Sequence, residues 1–139
     1  MSVVYLDSSA LVELLVDEDG SDLAAALWDS ADAVVSSRLA GVEVRAALAA
    51  ARRGDRIDEV GWAAADRQWA SLSVGLRAVE LSPAVAARAG DLAVEHGLRG
   101  ADAVHLASAL AVDAGDLVVA VWDDRLAGGA RAAGLRVVP

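Results

Sequence analysis

Four acidic side chains carry the chemistry this sequence suggests. Asp7 directly follows the apolar run Val3-Val4-Tyr5-Leu6, and Asp123 comes just after a second apolar run, Leu117 to Val121, with Trp122 between. Asp102 opens a helical stretch after Arg99-Gly100. Each of these three has an ordinary explanation as a helix-start residue, because a carboxylate there caps free N–H groups and complements the helix dipole. Glu43 does not. It lies between Val42 and Val44 in an Ala-rich helix whose inward stripe is read at Leu39, Val42, Ala46, Ala47 and Ala50. A carboxylate on or beside an apolar stripe is costly unless it is paired or bound to a cation, and helical spacing gives neither Arg38 nor Arg45 to it. Carboxylates brought together raise one another's pKa unless a counter-cation intervenes. Mg²⁺ or Mn²⁺ suits such a set, since hard cations prefer oxygen ligands and keep several waters. The chemistry that follows is hydrolysis of a phosphodiester by metal-activated water.

The elements that must position these residues alternate along the chain. Short apolar runs predict strands at 3–6, 33–36, 76–81, 117–121 and 135–138. Amphipathic periodicity predicts helices at 8–16, 21–29, 38–53, 58–71, 83–96, 101–113 and 124–133. Pro83 suits a first helical turn, and Gly54, Gly97 and Gly115 read as stops. Strands alternating with helices imply a three-layer α/β/α fold around a mostly parallel sheet, a single domain over residues 1–139. Ligands in such sheets bind beyond the carboxyl ends of the strands, where Asp7 and Asp123 fall.

Composition removes several alternatives. The chain has 139 residues and no cysteine, so thiol nucleophiles and thiolate metal sites are excluded, and two histidines are too few for a zinc site. All twelve basic residues are arginine, which excludes lysine-based phosphate loops and Schiff bases. No apolar run reaches the roughly 20 residues of a membrane span. The start of the chain lacks the basic region of an export signal, and a cytoplasmic location is expected. The net charge of −9 repels nucleic acid. If the chain acts on phosphates, bound cations or local arginines must supply the attraction.

The motifs resemble those of the PIN-domain nucleases, most closely the VapC toxins of bacterial type II toxin–antitoxin systems. They are Tyr5-Leu6-Asp7-Ser8-Ser9-Ala10-Leu11, Gly41-Val42-Glu43-Val44-Arg45-Ala46-Ala47-Leu48, Leu98-Arg99-Gly100-Ala101-Asp102-Ala103-Val104-His105 with the following Leu106-Ala107-Ser108-Ala109, and Trp122-Asp123-Asp124-Arg125-Leu126. Their order and spacing extend the resemblance over nearly the whole chain. It implies a Mg²⁺- or Mn²⁺-dependent endoribonuclease that cleaves single-stranded RNA, leaving a 3′-hydroxyl and a 5′-phosphate. It also implies a homodimer and a neutralising VapB-like antitoxin. The metal-ligand and catalytic roles of the family carry over to Asp7, Glu43 and Asp102. The fourth falls to Asp123, with Asp124 as its rival. The family usually has Thr or Ser two residues before the fourth acid, where this chain has Val121.

Other polar residues are weighed beside these. Ser8 and Ser9 could orient Asp7 or touch a substrate phosphate, and Arg99 could bind RNA phosphate or pair with a site carboxylate. His105, one turn after Asp102, reads as a buried, hydrogen-bonded histidine before it reads as a base. Trp62 and Trp69 share a helix face; core packing is the first reading, and if exposed they would form, together with Trp28, a candidate seat for the antitoxin. Two other readings compete: an RNA-processing PIN nuclease without an antitoxin, and a non-catalytic binding module on the same fold. A phosphotransferase would need a second acid at position 9, where Ser9 stands, or a lysine.

Overall fold

A computed structural model describes residues 1–139. Five strands form one sheet: β1 (Val3–Leu6), β2 (Ala33–Ser37), β3 (Arg77–Val79), β4 (Val118–Ala120) and β5 (Arg136–Val138). Every pairing is parallel, in the order β3-β2-β1-β4-β5, with Val4 opposite both Val34 and Val118. β1 is therefore the central strand. A strand covered on both faces must be apolar throughout, and all four residues of β1 are buried.

Seven helices cover the two faces: α1 (Ser8–Glu13), α2 (Ser21–Ser30), α3 (Ala40–Arg53), α4 (Glu59–Ser73), α5 (Pro83–His96), α6 (Gly100–Leu110) and α7 (Asp124–Ala132). Side chains of a strand alternate between faces, so β1 feeds two cores. Val3 and Tyr5 join Leu92, Leu106 and Leu126 from α5, α6 and α7. Val4 and Leu6 join Leu11, Val44, Leu48 and Trp69 from α1, α3 and α4. The expected α/β/α layering is present, and no helix is long and apolar enough to cross a membrane.

Element types match the sequence reading, and the differences lie at the ends. α1 stops at Glu13 and not at Val16, because the chain turns over itself through Leu14–Gly20 before α2. α6 ends at Leu110, well short of Gly115. Gly97 closes α5 in the left-handed conformation at φ 63°, where a glycine costs little.

One packing prediction fails. The buried stripe of α3 is Ala40, Val44, Leu48 and Ala51, whereas Val42 is 70% exposed and Ala46 is exposed. In a helix made mostly of Ala and Val, nearly every phase offers an apolar stripe, so periodicity alone does not select the inward one. Glu43 still borders the true stripe, three residues after Ala40 and one before Val44.

Candidate active site

The carboxyl ends of β1 and β4 are adjacent, joined beyond the sheet by the Asp7 N–H to Ala120 carbonyl bond (3.3 Å). Asp7 caps α1: its Oδ1 accepts from the Ala10 N–H at 3.0 Å and from the Ser9 hydroxyl at 2.6 Å. The Ser9 oxygen in turn accepts from the Trp122 N–H at 2.9 Å. This chain of bonds fixes Asp7 against the strand that leads to Asp123. Asp123 caps α7 through the Leu126 N–H at 2.9 Å.

A cavity of about 290 Å³ opens at this rim. Asp7, Asp102, Asp123 and Ser8 line it, with Glu13 and Glu18 at the α1–α2 side, and no basic residue lines it. The electrostatics follow from that imbalance. Burial, at 3% exposure, pushes the Asp7 carboxyl up from its usual range, against the hydrogen bonds from Ser9 and Ala10. Asp102, in the first turn of α6, is raised by burial first and by Asp123 second, with a further contribution from Glu43. The charges of Arg99 and His105 oppose this. Glu13 is pushed up to about 7, first by burial and then by the neighbouring Glu18 carboxyl.

Glu43 stands slightly apart. It influences Asp102 but does not line the cavity; its Oε1 lies 2.5 Å from His105 Nε2. A carboxylate only accepts, so the ring donates from Nε2, and the Tyr5 hydroxyl meets Nδ1 at 2.8 Å. Both His105 and Tyr5 are buried, and burial holds the Tyr5 phenol far above its ordinary pKa, so it keeps its proton. His105 is thus the hydrogen-bonded buried residue the sequence suggested, and it orients Glu43. Arg38 and Arg45 are committed elsewhere, to Glu80 and Asp66.

Of the remaining expectations, Ser8 faces the cavity, while the Ser9 hydroxyl is already used in orienting Asp7. Arg99 is exposed at the start of α6, close enough to lower the Asp102 pKa. Asp124 is exposed and away from the cavity, unlike Asp123. The tryptophans follow the core reading and not the exposed antitoxin seat: Trp69 is 8% exposed and belongs to the core, and Trp62 lies under the Arg52 guanidinium at 3.8 Å. A charged residue in place of Trp69 would put an unpaired charge into the core. Glu13 was missed. Its signal was the one that singled out Glu43, a carboxylate between apolar neighbours, Val12 and Leu14, on a helix that starts at the rim.

As they stand, no three Asp, Glu or His groups converge closely enough to enclose one ion. The donor set nevertheless fits a hard divalent cation: all its donors are oxygen, their mutual repulsion is only partly offset by Arg99 and His105, and Mg²⁺ is commonly held by one or two carboxylates with water filling the rest.

A parallel α/β/α sheet with acids gathered at the ends of β1 and β4 defines a class, and comparison gives its family. Residues 4–127 match the PIN domain. The chain is 59% identical to Ribonuclease VapC45 of Mycobacterium tuberculosis over all 139 residues and 96% of that protein. Its fold matches FitAcB from Neisseria gonorrhoeae with a TM-score of 0.72 at 22% identity, covering 98% of this chain and 96% of the other. A toxin–antitoxin complex from Klebsiella pneumoniae matches with a TM-score of 0.64 at 21% identity, covering 98% and 96%. The chain belongs to the PIN-domain family, within its VapC group.

Proposed function

We propose that this protein is a Mg²⁺- or Mn²⁺-dependent endoribonuclease that hydrolyses phosphodiester bonds of single-stranded RNA. The observation that carries this reading is the acidic cavity formed by Asp7, Asp102 and Asp123, free of basic residues, in a chain 59% identical to a ribonuclease over its whole length. Asp7, Asp102 and Asp123 would hold the cation, with Glu43, held beside the cavity by His105, as the fourth acid of the set. When bound, the ion supplies positive charge to the scissile phosphate and lowers the pKa of water. The protein's own groups arrange this. Ser9 and the α1 amides hold Asp7 by one oxygen, which leaves Oδ2 for a ligand. His105 holds Glu43 by one oxygen in the same way. Ser8 lies where it can meet a phosphate oxygen, and Arg99 offers an exposed cation at the rim of an otherwise anionic surface.

Toxin activity in the cytoplasm, restrained by a VapB-like antitoxin, and homodimerisation complete the proposal; the VapC relationship supports the antitoxin partner. A small neighbouring reading frame for a DNA-binding protein would be its genomic mark. The decisive experiment is cleavage of single-stranded RNA with Mg²⁺ or Mn²⁺ by the parent and by Asp7→Asn. The parent should cut and the variant should not; equal rates would overturn the mechanism. Calorimetric titration should show Mg²⁺ binding that weakens in Glu43→Gln.

A further inference from the structure

The chemistry proposed above leaves Tyr5 without a role. It lies in the central strand, two residues before Asp7, and is fully buried. A buried phenol must place its hydrogen, and His105 Nδ1 lies 2.8 Å from its oxygen. The two rings meet edge on, with centroids 5.9 Å apart and planes at 81°, so packing as well as the hydrogen bond fixes the imidazole. No other donor competes for Nδ1. The Ser36 and Ser108 hydroxyls stand beside Tyr5, but they give their hydrogens to the Leu6 carbonyl at 2.5 Å and the Val104 carbonyl at 2.7 Å.

Two helical layers meet at this ring. Glu43 comes from α3, which packs on one face of the sheet through Val44 and Leu48. His105 comes from α6, which packs on the opposite face through Leu106. The bond from His105 Nε2 to Glu43 Oε1 at 2.5 Å therefore crosses from one layer to the other. Asp102 is three residues before His105 and lies on the same face of α6. The ring thus sets where Glu43 stands relative to Asp102. A neutral imidazole donates from one nitrogen and accepts at the other, and the bond made at one side selects the tautomer. Donation to Glu43 from Nε2 requires an acceptor Nδ1, and the Tyr5 hydroxyl is the donor placed there.

We propose that Tyr5 is a positioning residue of the active site: its hydroxyl fixes His105 as the Nε2–H tautomer, and the ring holds Glu43 of one helical layer beside Asp102 of the other, so that both carboxylates serve one ion. The inference rests on the reading of Glu43 and Asp102 as members of the cation-binding set. It makes β1 responsible for two of the four acids, Asp7 at its end and Glu43 through the ring.

Nitrogen-15 spectra of the histidine rings in metal-free protein read the tautomer directly. The chain has two histidines, and the signals lost in His105→Gln assign this one. The parent should carry its proton on Nε2 with Nδ1 bare; a proton on Nδ1 would overturn the proposal. Tyr5→Phe keeps the aromatic ring and removes the hydroxyl alone. It should move the Nδ1 signal toward that of an unbonded nitrogen and weaken Mn²⁺ binding at least about threefold. It should lower kcat for RNA cleavage by a similar factor with KM within twofold, while the metal-free melting temperature stays within a few degrees. His105→Gln keeps a donor for Glu43 and should hold Mn²⁺ better than His105→Leu, which should lose at least about tenfold, as outer-shell changes do. The parent spectrum and this pair decide the matter even if Tyr5→Phe folds poorly: equal Mn²⁺ affinity in the parent, His105→Gln and His105→Leu would refute the proposal. Parent-like Mn²⁺ affinity in Tyr5→Phe would refute it too, while weakened binding in Glu43→Gln would still uphold Glu43 in the cation-binding set. Parent-like Mn²⁺ binding in Glu43→Gln would overturn both readings.

Discussion

Two clefts of this molecule treat charge in opposite ways. The larger, about 550 Å³, lies along the β2–β3 edge between α3 and α4, lined by Arg38, Arg45 and Trp69 among others. Its charges are balanced: Arg38 pairs with Glu80, Arg45 with Asp66 at 3.0 Å, and further along α3 Arg52 pairs with Glu59 at 3.2 Å. The smaller, at the ends of β1 and β4, gathers acids with no base among its walls. Size alone would favour the first as the functional cleft. Charge argues for the second, because a fold that pairs its arginines on α3 leaves Asp7, Asp102 and Asp123 without an ion-pair partner, the imbalance typical of functional sites.

Five substitutions or conditions test this contrast. The largest effect belongs to the wall of the balanced cleft: Trp69→Asp puts a charge into the core and should cost more than about 4 kcal/mol, read as loss of the folded baseline in urea unfolding. If the variant folds, the cleft is a surface and not the edge of a core. In the acidic cleft the opposite pattern is expected. Asp102→Asn should lower RNA cleavage at least about 100-fold, roughly 2.7 kcal/mol of transition-state stabilisation, yet melt at or above the parent temperature, because it removes a carboxylate that burial and Asp123 disfavour. Loss of stability together with activity would mean the acids are structural.

His105→Ala should fall between these, at about 2–3 kcal/mol, from the cavity and the stranded Tyr5 and Glu43 groups. The pH dependence separates the clefts next. Glu13 has a folded value of about 7 against an ordinary 4.5, facing Glu18 and Asp19 on the adjoining turn and the Gly20 amide. A raised value means its stabilising contribution is complete below pH 4.5 and is lost as pH rises through 7. With chelator present, the melting temperature of the parent should therefore fall by a few degrees relative to Glu13→Gln over that interval. The smallest effect is Arg45→Ala, an exposed pair, at under about 1 kcal/mol in the same unfolding assay and with no change in cleavage.

The sequence disclosed the site better than it disclosed the packing around it. Asp7 and Asp123 were legible because each ends an apolar run, and parallel sheets place such positions on one rim. Asp102 was legible from the break at Arg99-Gly100. Glu43 was legible as an anomaly among apolar residues, although the stripe assigned to it was wrong, because alanines give no phase. What it does there was not: its bond to His105 spans 62 residues, and nothing local in either segment announces it. The tryptophans stayed open between core and surface for a related reason. A shared helix face says that two rings point together, and only the tertiary fold decides whether they point inward, as Trp69 does. Glu13 needed the knowledge that α1 ends early and that its last turn looks back at Asp7.

The central position of β1 has a consequence for biosynthesis. The hydrogen bond between the Trp122 amide and Ser9 closes a span of 113 residues, and β1 cannot complete its pairing until β4 has been made. Contacts of such separation form late in folding. While the chain is still being translated, Asp7 emerges near the beginning and Asp123 almost at the end, so no partial product carries an assembled acidic cavity. The full set of acids exists only once nearly the whole chain has been made.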